Sequence, residues 1–264
     1  MKKTGLILLC VFLIPSVASA IEIEVHVKSE IGGNIEYFEM NESVDSVQAF
    51  RLQWYNSESV SCLSRIEFKI YENGYVESAW SEPKKMHPGI SEYFEAYWIP
   101  PHEGNYLVII AIHHCQNIIE SNMINFTVGS VPKPEETISI EAKNLPEKKI
   151  QVRLKAERDI KNVAVVPSSY PPGWVFNSKN VGDVKAGEEK IIELEYEPSV
   201  WSEESVNLQA ISLDGRYSSE KIDFALKEER YFWDEYGYVL FLSVSVALAI
   251  SLTLNFYLCF KRKK

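Results

Sequence analysis

Apolar residues recur at every second position along much of this chain, and this pattern constrains the fold more than any other feature. It is present in residues 21–27, 50–54, 66–70, 150–156 and 192–196. Successive side chains of a β-strand point to opposite faces, so the alternation indicates strands with one buried face and one face in water. We therefore expect an all-β fold.

Turn residues separate these strands. Asn73-Gly74 is a strong hairpin signal, because both central positions of the favoured two-residue turn need positive φ, and Leu213-Asp214-Gly215-Arg216 supplies another turn. Short strands that recur with turn residues between them are typical of β-sandwiches. The sequence predicts two tandem immunoglobulin-like β-sandwiches.

A stiff linker is expected between the two sandwiches. Residues 130–136 include Pro132 and Pro134 and show no apolar periodicity, which favours an extended connection. We assign the first sandwich to residues 21–129 and the second to residues 137–227. The linker is expected to let each sandwich fold independently and to hold the two apart as a short rod.

The first twenty residues have the composition of a secretory signal peptide. Lys2 and Lys3 precede an apolar stretch, and the small residues Ala18-Ser19-Ala20 follow it, which predicts cleavage after Ala20. An uncleaved anchor helix is the alternative, but the apolar stretch is too short to span a bilayer and Pro15 interrupts it. The mature chain is expected to begin at Ile21.

Residues 239–260 form an uncharged segment of 22 residues, long enough for one transmembrane helix. A buried core helix is less compatible with a chain that lacks other long helical patterns. An aromatic segment, 228–238, precedes the predicted helix, and a basic cytoplasmic tail, 261–264, follows it. This order predicts a single-pass protein in the cell membrane with its N-terminus outside. The expected interface anchors are Trp233, Tyr236, Tyr238, Lys261, Arg262, Lys263 and Lys264.

The charge distribution excludes some ligands. Of 27 basic and 37 acidic residues, six basic ones lie at Lys2, Lys3 and 261–264, which leaves residues 21–236 with a net charge of about −16. Such a surface repels nucleic acid and anionic lipid headgroups. It attracts divalent cations or basic partners, unless the acidic residues are simply solvated.

A short motif in the second predicted sandwich resembles a known module. Pro172-Gly173-Trp174 is followed by Gly187-Glu188, an alternating strand at 190–197 and Pro198. This order resembles the alpha-galactosidase-associated domains found beside catalytic domains in secreted prokaryotic proteins, and the likeness covers residues 137–227. The resemblance implies a noncatalytic immunoglobulin-like sandwich at a prokaryotic cell surface, archaeal ones included, and it transfers no binding residues.

The first predicted sandwich contains a candidate tyrosine corner. Two prolines precede Gly104-Asn105-Tyr106, which leads into a long apolar strand. In immunoglobulin-like domains a tyrosine at such a position bonds through its hydroxyl to nearby backbone. Tyr106 is a candidate for this role, although its spacing to Cys115 differs from that of antibody domains.

The chain lacks the common catalytic motifs. No Gly-rich phosphate loop, HExxH, GxSxG or CxxC occurs in it, and its abundant carboxylates need a cleft and opposed geometry before they can act as acid and base. We therefore expect a protein that is not an enzyme and binds no cofactor, with a surface hydrolase as the residual alternative.

The motif His113-His114-Cys115-Gln116-Asn117 admits three interpretations. Exported domains usually lie in an oxidising compartment. Cys62 and Cys115 are the only cysteines outside the two apolar ends of the chain, so we expect them to form a disulfide. A metal site requires both histidines on one side of a strand, whereas neighbouring side chains point to opposite faces. A catalytic thiol requires a nearby base and freedom from pairing.

Two further groups are candidate surface sites. Tyr97, Trp98, Tyr170 and Trp174 either form an aromatic platform for a glycan or protein or pack in the cores of the sandwiches. Asn41 and Asn125 each begin an Asn-x-Ser/Thr sequence and are candidate glycosylation sites.

The function hypotheses follow from these expectations. The first is a noncatalytic membrane-anchored surface protein whose sandwiches bind or space an extracellular partner, either an envelope protein or a glycan. The alternative is an accessory subunit of a membrane transport or secretion complex, which docks through its transmembrane helix.

Overall fold

The computed structural model describes residues 21–22, 32–41, 43–44, 46–129, 133–199, 204–226, 241–246 and 248. The described part of the chain is nearly all β, as the alternation predicts. We call residues 21–129 the N-terminal region and residues 133–226 the C-terminal region. The strands of the N-terminal region are β1 (Ile21–Glu22), β2 (Gly33–Met40), β3 (Ser43–Val44), β4 (Gln48–Asn56), β5 (Cys62–Tyr71), β6 (Tyr75–Trp80), β7 (Lys84–Met86), β8 (Ser91–Trp98), β9 (Gly104–His114), β10 (Asn117–Glu120) and β11 (Ile124–Val128).

The strands of the C-terminal region are β12 (Glu135–Leu145), β13 (Lys149–Ala156), β14 (Ile160–Ser168), β15 (Val175–Phe176), β16 (Lys179–Val184), β17 (Glu189–Glu197), β18 (Glu204–Ser212), β19 (Tyr217–Ser219) and β20 (Ile222–Leu226).

Two sheets face each other in the N-terminal region, in a sandwich-like arrangement. One has the order β1-β2-β4-β8; the other has the order β3-β11-β9-β5-β6, with β10 paired to β9 and β7 paired to β5. Phe50, Leu52 and Trp54 of β4 and Ile66 and Phe68 of β5 are fully buried between the two sheets. These residues belong to the alternating runs seen in the sequence, so the pattern identified the buried faces.

One sheet of nine strands forms the C-terminal region. Its order is β15-β17-β13-β12-β19-β18-β14-β16, with β20 paired to β18. A single hydrophobic cluster contains residues from both halves of this sheet, including Val152 and Leu154 of β13 and Val206 and Leu208 of β18. The sheet therefore curves so that its two halves bury a shared core.

Both predicted turns are present, although the first is a three-residue loop and not the expected two-residue turn. Asn73 and Gly74 have φ values of 52° and 142° and close the hairpin between β5 and β6, where Tyr71 pairs with Tyr75 across a three-residue loop. The Gly215 amide donates to the Ser212 carbonyl at 2.8 Å, which closes the turn between β18 and β19.

Tyr106 forms the expected corner. Its hydroxyl donates to the His102 backbone carbonyl, four residues upstream, at 3.1 Å, and the ring is buried with 1% of the residue exposed. The hydrogen bond satisfies a polar group that the ring carries into the core. The tyrosine corner is confirmed.

The expectation of a rod with separated sandwiches is wrong. Glu135 and Glu136, assigned to the linker, lie in β12 and pair with Tyr217 and Ser218 of β19. A third hydrophobic cluster joins the two regions directly. We call this contact between the regions the seam; its buried residues are Val47, Tyr97, Ala164, Val166 and Ile211.

The two ends of the chain lie largely outside the described residues. This applies to the signal peptide at 1–20, the aromatic segment at 228–238 and the basic tail at 261–264. Of the expected membrane span, residues 241–246 and 248 are described, and they are helical. Among the described residues, no helix is long and apolar enough to cross a membrane.

Candidate functional site

The two cysteines form a disulfide at one end of the N-terminal region. Cys62 and Cys115 are bonded, with their Cα atoms 5.1 Å apart, which fits the predicted pairing. Cys62 begins β5, and Cys115 follows the last residue of the neighbouring strand, β9. The disulfide therefore joins adjacent strands of one sheet rather than the two facing sheets.

A tight turn places Cys115 for this bond. Cys115 and Gln116 have φ values of 49° and 70°, and His114 pairs with Asn117 on either side of them. Positive φ at both central residues is the geometry of the type I′ hairpin turn, which asparagine and glycine favour and which these two residues adopt less readily. β9 ends at His114, so Cys115 is the first residue of the turn and not the last residue of the strand.

His114 is held in one neutral form by its neighbours. Asn56 Oδ1 accepts a hydrogen bond from the Glu58 amide at 2.9 Å. The same oxygen lies 3.1 Å from His114 Nε2. Nε2 must therefore carry the proton, and Nδ1 accepts from the Ser64 hydroxyl at 2.6 Å. Burial lowers the pKa of His114, because it disfavours the imidazolium.

The group Ser64–His114–Asn56 has the residue types of a hydrolytic triad, but its burial is unlike that of an active site. Ser64 and His114 line a cavity beside the disulfide, but each is only 1% exposed, so little of either side chain is open to a ligand. The hydrogen bonds join β4, β5 and β9 beside the disulfide. We interpret the group as a buried polar network that fixes these strand ends.

Cys62, His114 and Cys115 also place potential ligand atoms within 4.8 Å of one another. Metal binding by these residues requires thiolates, and both sulfurs are in the disulfide. Both ring nitrogens of His114 are hydrogen-bonded. His113 lies half-exposed and its Nε2 is 3.1 Å from Glu67 Oε2. The residues of the motif therefore do not fit a metal in this oxidation state.

The expected aromatic platform is not formed by the four residues proposed for it. Tyr97, Trp98 and Trp174 are 2–3% exposed, and the Tyr170 hydroxyl donates to the Ser78 carbonyl across the seam. Trp98 packs in the N-terminal core and Trp174 in the C-terminal core. Core packing, the alternative interpretation, describes these side chains, since large rings release the most surface from water when buried.

The seam is held by polar contacts as well as by its apolar cluster. The Tyr97 amide donates to Ser178 Oγ at 2.8 Å, and Asn180 Nδ2 donates to the Tyr97 hydroxyl at 3.1 Å. The Ser178 amide donates to the Trp80 carbonyl at 3.2 Å. Desolvation raises the pKa of Tyr97, and the hydrogen bond to Glu95 adds to this.

Glu77 is the most perturbed acid at the seam. Its carboxylate accepts from the Ser169 amide at 2.9 Å and from Trp98 Nε1 at 3.1 Å. Desolvation raises the pKa of Glu77 to about 7, although these two donors oppose the rise. Glu77 is thus an acid that titrates near neutrality at the contact between the regions.

A cavity of about 340 Å³ lies at the seam beside the disulfide. Its walls come from β5, β6, β9 and β10 of the N-terminal region and from Val175 and Glu197 of the C-terminal region. Arg65 Nη2 and Glu197 Oε1 form an ion pair of 3.0 Å across the seam beside this cavity. We call this cavity of about 340 Å³ the seam cavity.

The remaining candidate residues are placed as follows. Asn125 is exposed on β11, and Asn41 is partly buried just after β2, so the glycosylation of either stays a prediction. The interface anchors Trp233, Tyr236 and Tyr238, together with the basic tail, lie outside the described residues.

Sequence reasoning missed the seam, although the sequence contains a signal for it. Residues 163–166 and 96–98 are buried at every position rather than at alternate ones. A short continuous apolar run indicates a strand with both faces covered. In β14, Val163 and Val165 belong to the C-terminal core, whereas Ala164 and Val166 belong to the seam.

Comparisons with known proteins identify no family. No family model matches the chain, and no curated protein matches it. A red sea bream transglutaminase structure aligns with 76% of this chain and 32% of its own, at 8% identity and a TM-score of 0.26. A DUF4785 family protein from Legionella pneumophila aligns with 75% of this chain and 58% of its own, at 12% identity and a TM-score of 0.25. The chain spans under two thirds of either protein, and likeness at this level supports no conclusion about activity.

Proposed function

We propose that this chain is a noncatalytic, membrane-anchored cell-surface protein whose two β regions, as tandem immunoglobulin-like sandwiches, bind or space an extracellular partner. The observation that best supports the proposal is the disulfide between Cys62 and Cys115 in a nearly all-β body. Structural disulfides persist in exported proteins and are rare in reducing compartments.

The sequence at the two ends supports the same location. The signal-like residues 1–20 lead the chain into export, and residues 239–260 with the basic tail retain it in the membrane. The acidic surface between them, at about −16 net charge, favours a partner with basic groups.

A docked pair of β regions suits a binding role. The two regions contact each other through an apolar cluster and several hydrogen bonds. Binding surfaces and cavities are frequent where two such regions meet. The seam cavity is of this kind, because both regions contribute to its walls.

Thiol labelling tests the observation on which the proposal rests. The full-length protein with Cys259→Ser is purified without reductant, denatured and treated with a thiol reagent. The expected result is no label on Cys62 or Cys115, and label on both after reduction. Two labelled cysteines before reduction would remove the main support for export.

Protease treatment of intact cells tests the location. The expected result is loss of nearly the whole mass of the protein, because residues 21–236 lie outside in this proposal. Full protection in intact cells, with digestion after lysis, contradicts it.

A pull-down from gently solubilised membranes separates the proposal from the accessory-subunit alternative. Recovery of surface components only is the result that the proposal expects. Recovery of a polytopic membrane protein in fixed ratio favours the accessory subunit, which docks through the helix at 239–260.

A further inference from the structure

Two residues that line the seam cavity carry buried N–H donors without acceptors in the described part of the chain. Trp80 Nε1 and Arg65 Nε have no hydrogen-bond partner within the described ranges of the chain. Trp80 is 6% exposed, and the Arg65 side chain is 13% exposed. Both residues line the seam cavity. Buried donors are almost always paired in native proteins, so these two require an acceptor that the described residues do not supply, either water or a ligand.

Two aliphatic side chains lie at the same cavity and face solvent. Leu63 is 66% exposed and Ile118 is 60% exposed, and both line the cavity. They lie on β5 and β10, two strands that flank β9. A ligand that covers them with an aliphatic group gains from the removal of apolar surface from water.

The charges at the cavity favour a cation beside neutral acceptors. Arg65 is already paired with Glu197, so an anionic ligand has to compete with that carboxylate. The Glu197 side chain is 58% exposed and retains free acceptor capacity for a positive group. The net charge of about −16 between the two ends disfavours an anion further.

These features together match the groups of a peptide. Carbonyl oxygens suit the two N–H donors, an aliphatic side chain suits Leu63 and Ile118, and a lysine or arginine suits Glu197. A glycan fits less well, because sugar rings stack on exposed aromatic faces and Trp80 is nearly fully buried.

We propose that the seam cavity binds an extended segment of a partner protein in which an aliphatic residue adjoins a basic one. This inference rests on the proposed function, since it specifies the chemistry of the extracellular partner. It also makes binding depend on the docking of the two regions, because Val175 and Glu197 come from the C-terminal region.

Indole signals in the ¹H–¹⁵N spectrum of the full-length protein test the inference. The chain has six tryptophans, and Trp80→Phe identifies the Trp80 signal by its loss. The probe is the dipeptide N-acetyl-leucyl-lysine amide, which has three carbonyl groups, one aliphatic side chain and one cation. The expected result is a saturable shift of the Trp80 signal, with N-acetyl-leucyl-glutamate amide at least about tenfold weaker.

Surface variants supply matched controls. Leu63→Ser with Ile118→Ser removes the exposed aliphatic groups, and we expect binding to weaken about tenfold or more. Met123→Ser and Ile191→Ser alter residues that are 65% and 53% exposed and do not line the seam cavity, so they leave binding unchanged. No saturable shift up to the solubility limit of the peptide overturns the inference, as does equal binding of the glutamate peptide.

A failure of this inference is distinguishable from a failure of the proposed function. If the unaltered protein captures a surface partner and the Leu63→Ser/Ile118→Ser variant captures it equally, only the cavity inference fails. If the unaltered protein captures no extracellular partner while the dipeptide binds, the proposed function fails and the cavity inference stands.

Discussion

The cores of the N-terminal and C-terminal regions differ in the arrangement of their sheets and in their buried residue types. The N-terminal core is formed between two separate sheets, whereas the C-terminal core lies inside one curved sheet. The first core has more buried aromatic residues than the second: Phe38, Phe50, Trp54, Phe68, Phe94, Trp98, Tyr106 and Phe126. The second core is mainly aliphatic, with Trp174, Phe176 and Tyr196 as its buried rings.

This difference shows two ways to hold a pair of facing layers together. In the C-terminal region, backbone pairing between β12 and β19 connects the halves of the sheet. In the N-terminal region, none of the described strands pairs with a strand of the facing sheet, so side-chain packing has to hold the two sheets together. Large rings in contact, such as Phe50 and Phe68 with centroids 4.5 Å apart, supply that packing.

Removal of the disulfide is expected to cause the largest difference in stability between the N-terminal and C-terminal regions. Cys62 and Cys115 are 53 residues apart in the sequence, and closing such a loop restricts the unfolded chain by about 4 kcal/mol. We expect Cys62→Ala with Cys115→Ala to lower the unfolding free energy of the N-terminal region by that amount. Region-resolved hydrogen exchange in urea measures it, with Cys259→Ala as the control. Equal losses of protection in both regions would contradict a region-specific crosslink.

The pH dependence of stability tests the coupling between the regions. Because the folded-state pKa of Glu77 is raised to about 7, the folded protein binds a proton that the unfolded chain has released between about pH 4.5 and 7. The stabilisation is therefore fully present below the unfolded pKa and is lost as the pH rises through 7. We expect a decrease of at most about 3 kcal/mol in unfolding free energy from this group.

Glu77→Gln supplies the control for this pH dependence. The amide retains an oxygen that accepts from the Ser169 amide and does not titrate. Urea unfolding at a series of pH values is expected to show a flatter profile for the variant. An unchanged slope between pH 5 and 8 is the outcome that would exclude Glu77 as its source.

Truncation at the seam has a smaller expected effect on stability. Ile211 is 3% exposed in the cluster between the regions, and Ile211→Ala is expected to cost about 2 kcal/mol, the low end for a buried isoleucine. The expected cost is low because the cluster is small and its loss leaves both main cores intact. Calorimetry is expected to resolve two unfolding transitions in the variant and one in the unaltered protein. A uniform shift of one transition speaks against separable regions.

The smallest expected effect is that of the ion pair between Lys179 and Glu82, which spans the seam at 2.7 Å. The two side chains are 34% and 42% exposed, so solvent screens their attraction. We expect Lys179→Ala to lower the unfolding free energy by about 0.5 kcal/mol. Arg153→Ala, which breaks an exposed pair within the C-terminal region, is the matched control. A loss above about 2 kcal/mol for Lys179→Ala alone shows that the seam depends on polar contacts more than on its apolar cluster.

Much of the core was predictable from residues in their local context. The alternation at 50–54, 66–70 and 150–156 identified side chains that are buried in the structure. The corner role of Tyr106 followed from its position at the entry to β9. These features depend on short stretches of chain, where the period of two fixes the face on which each side chain lies.

The candidate site was less predictable, since its residues come together only through distant contacts. Arg65 and Glu197 are 132 residues apart, and Trp80 meets Asn177 in an isolated β-bridge. Tyr97 and Trp98 illustrate the difficulty: their ring chemistry suits both a binding surface and a core. Only the packing of neighbouring elements decided between these roles.

By itself, the sequence determined that the chain forms strands, which faces of many strands are buried and which cysteines are available to pair. The tertiary structure decided that the two regions dock, that the proposed aromatic platform is buried, and that a cavity lined by residues of both regions lies between them. The physical reason is that the alternation of apolar residues identifies which face of a strand must be buried. It does not identify the segment that packs against that face. That choice depends on shape and charge complementarity between segments far apart in the chain.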